Sequence, residues 1–385
     1  MNNLVASGID PILLWRKALG MSYSRNTFPG PLGVALALVG DASTPGSSLT
    51  SSLRMSLNVT RDTRIGVAIV GCGGTGSHLV PNIVQYLASR KLTLNTSDSY
   101  SPRGEFDIFL IDGDEVDQRN LLRQKFAEFE VGSNKAKALA TRYSDAWGVG
   151  ISYYEGYVDK SSLEKLFGAN PQYSYDLFVI FGAVDNHRAR MEISSYVDSL
   201  SNADFAGGIY WIDGGNESNY GQAIISGNPG SYIRQSDGVR VRDWKKAKIG
   251  DAIKPYRLPS FFARHPEALS KVLDSSKKEP SCLELSEIDP QTIQANMMSA
   301  YCMTSLFTQL MSGYLHSTAI YFDSVTGNTK SRFITKESIL EDLCMIDETK
   351  AQILKTVESM QKDEAEGVGD NVGSEPVQNV ETSEA

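Results

Sequence analysis

The sequence predicts an α/β protein, a mostly parallel sheet with flanking helices that continues into antiparallel strands. Three observations predict it. An apolar run, Ile65 to Val70, leads into a glycine turn (Gly71, Gly73, Gly74, Gly76) and then a helical pattern. A second apolar run, Phe106 to Ile111, ends in Asp112 and Asp114. From Arg64 to about Gly227 strands keep alternating with helical patterns, and such alternation means a parallel sheet wrapped by helices.

The glycine turn carries the most information. Glycine suits it because the backbone must turn tightly and approach a phosphate, which rests on the free N–H groups and positive dipole end of the next helix. An acid ending the following strand can hydrogen-bond a ribose, the role expected of Asp112. Alone, the glycine pattern matches ordinary turns as well. Strand, turn, helix, strand and acid in this order make a nucleotide site.

The stretch after the acid narrows the nucleotide. It reads Arg119-Asn120-Leu121-Leu122-Arg123-Gln124 and then Val131-Gly132-Ser133-Asn134-Lys135. Two cations at the edge of such a pocket suit a triphosphate better than a nicotinamide. Arg123 offers a planar fork and Lys135 a point charge, and together they neutralise charge that builds at an attacked phosphorus. The plain alternative is a pair of solvated helix-flank charges. Further on, the strand Tyr175 to Phe181 exits into Gly182-Ala183-Val184-Asp185-Asn186. Ligands collect at strand carboxyl ends, and Asp185 reads there as a Mg²⁺ ligand. It also reads as the N-cap of a helix from His187 to Leu200.

With these motifs in place, the chain resembles the ThiF/MoeB/ubiquitin-activating enzyme superfamily, the adenylating enzymes for ubiquitin-like and sulfur-carrier proteins. The family pattern is G-x-G-G-x-G, D-x-D-x-V, N-L-x-R-Q, V-G-x-x-K and a later D-N followed by Arg. The chain supplies Gly71 to Gly76, Asp112 to Val116, Asn120 to Gln124, Val131 to Lys135, and Asp185-Asn186 with Arg190. The resemblance covers roughly Arg64 to Ile225, with a fainter echo from Gln291 to Thr335. It implies a Rossmann-like sheet and ATP with Mg²⁺ as cofactors. The implied nucleotide contacts are Gly71, Gly73, Gly74, Gly76, Asp112, Asp114, Asn120, Arg123, Gln124, Lys135, Asp185 and Asn186, with Asp185 on the metal. The implied partner is a small carrier protein ending in Gly-Gly, and the implied assembly a homodimer in which an arginine crosses from the neighbour. Arg54, Arg61 and Arg64 are candidates for that arginine.

Organisation follows from composition along the chain. Residues 1–62 read as an N-terminal extension and linker, with one amphipathic pattern from Asp10 to Leu19. Residues 63–360 read as the adenylating domain, with a poorly periodic insertion at about 228–278 that carries Arg240, Arg242, Lys245, Lys246 and Lys248. Long irregular stretches of this kind are usually functional or mobile. Ile209 to Gly215 and Tyr220 to Ile225 read as consecutive strands, equivalent in relatives to a second sheet. A helix spans about Pro290 to Leu310, a hairpin turns at Thr326-Gly327-Asn328, and another helix spans Ile346 to Met360. The acidic stretch 361–385 has almost no large apolar residue and reads as disordered.

Composition excludes several classes. Of 385 residues, 41% are hydrophobic and 22% charged, the balance of a globular domain. A formal charge of −9 argues against a nucleic-acid partner. No apolar run reaches the roughly 20 residues of a membrane span, and no secretory start is legible. A cytoplasmic location is the expectation. Cys72, Cys282, Cys302 and Cys344 form no C-x-x-C pair, so zinc is not expected and a reducing compartment is.

Some relatives pass the activated carrier to a cysteine between the strand block and the next helix, where this chain has Cys282. Lys277 and Lys278 would favour its thiolate, whereas a small buried residue is the even alternative. Cys72, in the turn, and Cys302, on an apolar helix face, read as packing. Two rival functions share part of the pattern. A nicotinamide-dependent oxidoreductase would use the glycine turn and Asp112, but leaves Arg123, Gln124, Lys135 and Asp185-Asn186 without a task. A non-catalytic half of an activating heterodimer would have been free to lose those charges.

Overall fold

The computed structural model describes residues 52–94, 105–167, 175–202, 207–273 and 292–346. The described chain opens with a short strand, β1 (Arg54–Ser56), and enters β2 (Ile65–Val70), in which every residue is buried. A strand apolar at consecutive positions must be covered on both faces, as in parallel sheets with helices on either side. The glycine turn then launches helix α1 (Gly74–Leu94), and the chain returns as β3 (Phe106–Ile111). Helix α2 (Lys135–Trp147) follows, capped at its start by Asn134 and ended by Gly148 in the left-handed region. Strand β4 (Ile151–Tyr154) and helix α3 (Lys160–Phe167) complete the next unit. Strand β5 (Leu177–Gly182), again wholly buried, leads to helix α4 (His187–Asn202).

Strands β6 (Gly208–Asn216) and β7 (Tyr220–Asn228) are joined by a tight connection and pair antiparallel over their lengths. Beyond the two-residue strand β8 (Ala252–Ile253) and helix α5 (Pro266–Leu273), helix α6 (Ile293–Met311) precedes β9 (Tyr314–Leu315). The hairpin of β10 (Ser317–Asp323) and β11 (Asn328–Phe333) comes last, followed by a helical segment at 336–346.

The main sheet has eight strands in the order β11-β10-β7-β6-β5-β2-β3-β4. The pairs from β6 to β4 are parallel and those from β6 to β11 antiparallel. The strands expected to form a second sheet are thus the continuation of the first. Strand β2 sits between β5 and β3, so the crossovers leave it in opposite directions and a crevice opens at its carboxyl end. Helix α6 lies across this region against α1, β6 and β7. The ring of Phe307 meets Tyr86 of α1 at 5.5 Å and Phe181 of β5 at 5.4 Å. Ile65, Ile69, Phe178 and Phe181 are fully buried, each removal from water stabilising by roughly 1.5–3 kcal/mol.

The expected insertion is built into the body of the protein. Strand β8 pairs parallel with β1, and β9 pairs antiparallel on its other side. Tyr256, Leu258, Phe261 and Phe262 are buried. Asp342 of the segment 336–346 is wholly buried, accepts from Tyr256 and Arg264 at 3.0 Å and forms an ion pair with Arg332 at 2.9 Å. This charge-assisted network ties the last described helix to the insertion and to β11. The helix expected at Ile346 to Met360, the N-terminal amphipathic pattern and the acidic tail lie outside the described residues.

Candidate functional site

Gly71 is the pivot of the turn after β2. Its φ is +89°, a conformation that side chains other than hydrogen strain to adopt. Its N–H donates to Ile111 at 2.9 Å, and a Cβ there would stand 2.8 Å from the carbonyl carbon of Ala183. A Cβ on Gly76 would collide with the carbonyl oxygen of Gly71. The two glycines therefore allow helix, turn and β5 exit to close on one another. The first helical bond of α1 runs from Ser77 N to Gly73 O at 2.9 Å, so the N–H groups of Gly74, Thr75 and Gly76 precede the helical ladder. They give this end of the helix its positive character.

The two acids beyond β3 differ in their tasks. Asp112 accepts from Cys72 N at 2.6 Å and from Asp114 N at 2.8 Å, locking the turn to the acidic loop. Burial raises its pKa against the pull of Lys135 and these N–H groups. Each oxygen keeps a second lone pair, so a ribose hydroxyl can still be bound. Asp114 is exposed, yet both its oxygens are engaged. Lys135 Nζ lies 2.8 Å from one and the Tyr157 hydroxyl 2.7 Å from the other. Burial opposes its ionisation, but these two hydrogen bonds prevail and its pKa is lowered.

Lys135 is buried because the loop before it is stitched to the acidic loop. Asn134 Nδ2 donates to the carbonyls of Asp112 (2.8 Å) and Asp114 (3.1 Å), while its Oδ1 caps α2 by accepting from Lys137 N. Lys135 N reaches Asp114 O at 2.9 Å, and Val116 N reaches Ser133 O at 2.8 Å. The V-G-x-x-K segment is thus the clamp on the D-x-D-x-V segment.

Asn120 is buried and shapes the loop between them. Its Oδ1 accepts from Asp117 N at 2.8 Å, and its carbonyl accepts from Arg123 N and Gln124 N. Gln124 Nε2 lies 3.8 Å from where a Cβ on Gly73 would stand, and its buried Oε1 has no partner among the described residues. The half-buried Arg123 has no side-chain partner among the described residues.

At the end of β5 the N-cap of α4 is Asn186, whose Oδ1 accepts from Ala189 N at 2.8 Å. The capping role expected of Asp185 falls one residue later, and the Asp185 carboxylate stays exposed, touched by Asn186 Nδ2 at 3.1 Å. Arg190, part of the sequence pattern, is a buried structural residue. Its Nε lies 3.0 and 3.1 Å from the oxygens of Asp213, and its Nη2 donates to Val184 O at 2.8 Å, tying the Asp185 loop to β6. Burial pushes Asp213 up to about 6 even with Arg190 beside it.

The structure brings together the glycine turn, Asp112, Asp114, Lys135 and Gln124 at the carboxyl ends of β2 and β3, with Asp185 at that of β5. Tyr157, just after β4, joins them unannounced by any sequence pattern. Its hydroxyl pKa is pushed up to about 12, first by its hydrogen bond to Asp114 and then by the fields of Asp114, Asp112 and Asp185. A metal with phosphate oxygens fits this chemistry, because the exposed Asp185 supplies the hard donor that such an ion takes. Cys282 lies outside the described residues. Burial raises the Cys72 thiol well above its usual range and Cys302 to about 12, so neither is poised as a thiolate. Cys344 is exposed. Of the upstream arginines, Arg54 stacks on Tyr314 at 4.5 Å and Arg64 pairs with Asp176 at 3.3 Å, while Arg61 is exposed.

No curated protein matches the chain. Among solved structures it is similar to E. coli MccB with AMPCPP and MccA, at 17% identity and a TM-score of 0.42 over 75% of this chain and 65% of that one. E. coli MccB with ATP gives 17% identity and a TM-score of 0.43, over 71% and 64%. PaaA gives 18% and 0.41, over 70% and 72%. The chain thus spans just under two thirds of the length of these MccB chains. No described helix is long and apolar enough to cross a membrane. The ThiF family model matches residues 59–336, most of the sequence and all the strands from β2 to β11, and the chain belongs to the ThiF family.

Proposed function

We propose that this protein adenylates the C-terminal carboxylate of a small ubiquitin-like or sulfur-carrier protein, one ending in Gly-Gly, at the expense of ATP. The observation that carries the reading is the Asp114–Lys135 pair, 2.8 Å apart, across a crevice from the open N-terminus of α1. A dinucleotide site needs an acid there and no buried lysine. A triphosphate gains from both the helix end and the cation.

The carrier carboxylate attacks the α-phosphorus, the new C–O–P linkage forms, and the bond to the β-phosphate breaks to release pyrophosphate. No general base is required, since the nucleophile is already an anion. Catalysis is then positioning and charge stabilisation. The turn from Gly71 to Gly76 holds phosphates, Asp112 the ribose, and Arg123 and Lys135 the charge that grows on the transferring group. Asp185 would hold Mg²⁺, which supplies charge neutralisation on the phosphates. Transfer to Cys282 or to an external sulfur donor follows in this scheme. The expected assembly is a homodimer, and the expected location the cytoplasm.

Exchange of labelled pyrophosphate into ATP tests the reading. It should appear only when a carrier with a free C-terminus is present. Absorbance or fluorescence change on titration with NADH, without any exchange, would overturn it in favour of a nicotinamide enzyme.

A further inference from the structure

Among the described residues helix α6 carries two buried polar side chains with an unpartnered atom, Ser299 Oγ and Asn296 Nδ2, and only the second lies against the start of α1. Asn296 is completely buried, on a stripe with Ser299, Ala300 and Met303. Its Oδ1 accepts from Asn216 Nδ2 at 2.9 Å, and Asn216 Oδ1 accepts from the Thr75 hydroxyl at 3.1 Å. These bonds run in one direction, Thr75 to Asn216 to Asn296, and end on a spare donor. Among the described residues Asn296 Nδ2 has no hydrogen-bond partner. Buried amides are almost always satisfied, so an orphaned donor calls for an acceptor that the described residues do not supply.

The position of that donor says what the acceptor is. A Cβ on Gly74 would stand 2.8 Å from Asn296 Nδ2, so the amide lies against the first residue of α1 with no side chain between. The N–H groups of the first helical turn, which precede the ladder, sit at the same place. A helix N-terminus with an added amide donor favours an anion, through dipole and hydrogen bond together.

We infer that Asn296 is a further nucleotide-binding residue, whose Nδ2 donates to a phosphate oxygen held at the start of α1. This rests on the adenylation reading and extends it to a residue outside every motif of the sequence. Thr75 on α1 and Asn216 on β6 orient the amide, so phosphate binding registers α1, β6 and α6 at once.

Equilibrium dialysis of the full chain with ATP and with adenosine tests it. Asn296→Asp is isosteric, keeps the acceptor for Asn216 and puts an oxygen where the donor stood. ATP affinity should fall about ten- to a hundredfold, the range for a hydrogen bond to a charged group, while adenosine affinity stays unchanged. Asn296→Ala, which removes the donor without adding charge, should show a smaller loss of the same selectivity if the first variant does not fold. Unaltered ATP binding in a folded variant would overturn the inference, as would equal losses for ATP and adenosine, the signature of a structural role. A wild-type protein that binds no ATP would overturn the adenylation reading itself, and this inference with it.

Discussion

The ammonium of Lys135 stands 2.8 Å from Oδ2 of Asp114, the lysine side chain 8% exposed and the carboxylate 48%. The cation is the inner partner and the anion the outer one. The field of Lys135 is therefore held in place before any ligand arrives, with Tyr157 fixing the other oxygen of Asp114 at 2.7 Å. A preorganised charge of this kind costs no rearrangement when negative charge develops beside it.

Replacing Lys135 by methionine should cut carrier-dependent pyrophosphate exchange by about 10²–10³, and Arg123→Ala should do so to a similar degree. Both proteins should keep their melting temperatures within a few degrees, because Arg123 has no side-chain partner among the described residues and the acid paired with Lys135 is half exposed. Exchange within tenfold of wild type in either variant would remove that cation from the reaction.

The same pair has a pH signature. Asp114 ionises more readily folded than unfolded, because the bonds from Lys135 and Tyr157 outweigh its burial. The stability this contributes is present above the ordinary carboxylate range and is lost as pH falls through the lower, folded value. Urea melts of wild type and Lys135→Met should therefore differ most near neutrality and converge in acid. Curves that stay equally separated from pH 7 to pH 3 would contradict this.

Arg190 and Asp213 behave oppositely. Asp213 is pushed up to about 6 by burial, against the attraction of Arg190. A carboxyl with a raised folded pKa favours folding at low pH, and that contribution is lost as pH rises through about 6. Arg190→Met leaves the buried carboxylate without its cation, and breaking such a pair costs about 3–5 kcal/mol. The loss should be largest at pH 8 and shrink toward pH 5, where Asp213 takes up a proton. An equal loss at both values would mean that Asp213 does not titrate between them.

Much of this arrangement was legible in the sequence because it depends on local signals. Strand β2 has the expected limits, Ile65 to Val70, since its apolar run is bounded by Arg64 and Gly71. Helix α6 and the β10–β11 hairpin also formed where apolar runs and the turn at Gly327 place them. Strand β5 starts at Leu177 and not Tyr175, because the Asp176 carboxylate accepts from Arg64 N and the Tyr175 hydroxyl reaches Asp107. What escaped the reading depends on partners distant in sequence. The β8-β1-β9 sheet has strands of two or three residues, too short for any period to show. Tyr157 gains its role only because β4 ends beside Asp114. An asparagine in the apolar run of α6 was a cue for Asn296, but its meaning required Gly74 beside it.

Asp185 and Asn186 can be separated by experiment although they are neighbours. Asp185→Ala should abolish exchange at any Mg²⁺ concentration while leaving the melting curve unchanged, since the cap of α4 belongs to Asn186. Asn186→Ala should lower stability by about 1 kcal/mol, the usual value of a lost N-cap. Near-normal exchange in Asp185→Ala would dispose of the metal assignment.

In the proposed reaction Cys282 is the candidate that would make the adenylate an intermediate and not the product. Cys72 and Cys302 are disqualified as nucleophiles by burial, which raises both thiols above their usual range. That leaves Cys282, beside Lys277 and Lys278 in sequence, and the exposed Cys344. If Cys282 accepts the carrier, wild type with ATP and carrier should give a thiol-sensitive adduct on a non-reducing gel. Cys282→Ala should lose the adduct yet retain full pyrophosphate exchange, because adenylation precedes transfer and uses none of its atoms. An adduct that persists in Cys282→Ala and disappears in Cys344→Ala would move the role to the exposed thiol. No adduct in the wild type, with exchange intact, would make the acyl-adenylate the end of this protein's reaction and leave the sulfur donor outside it.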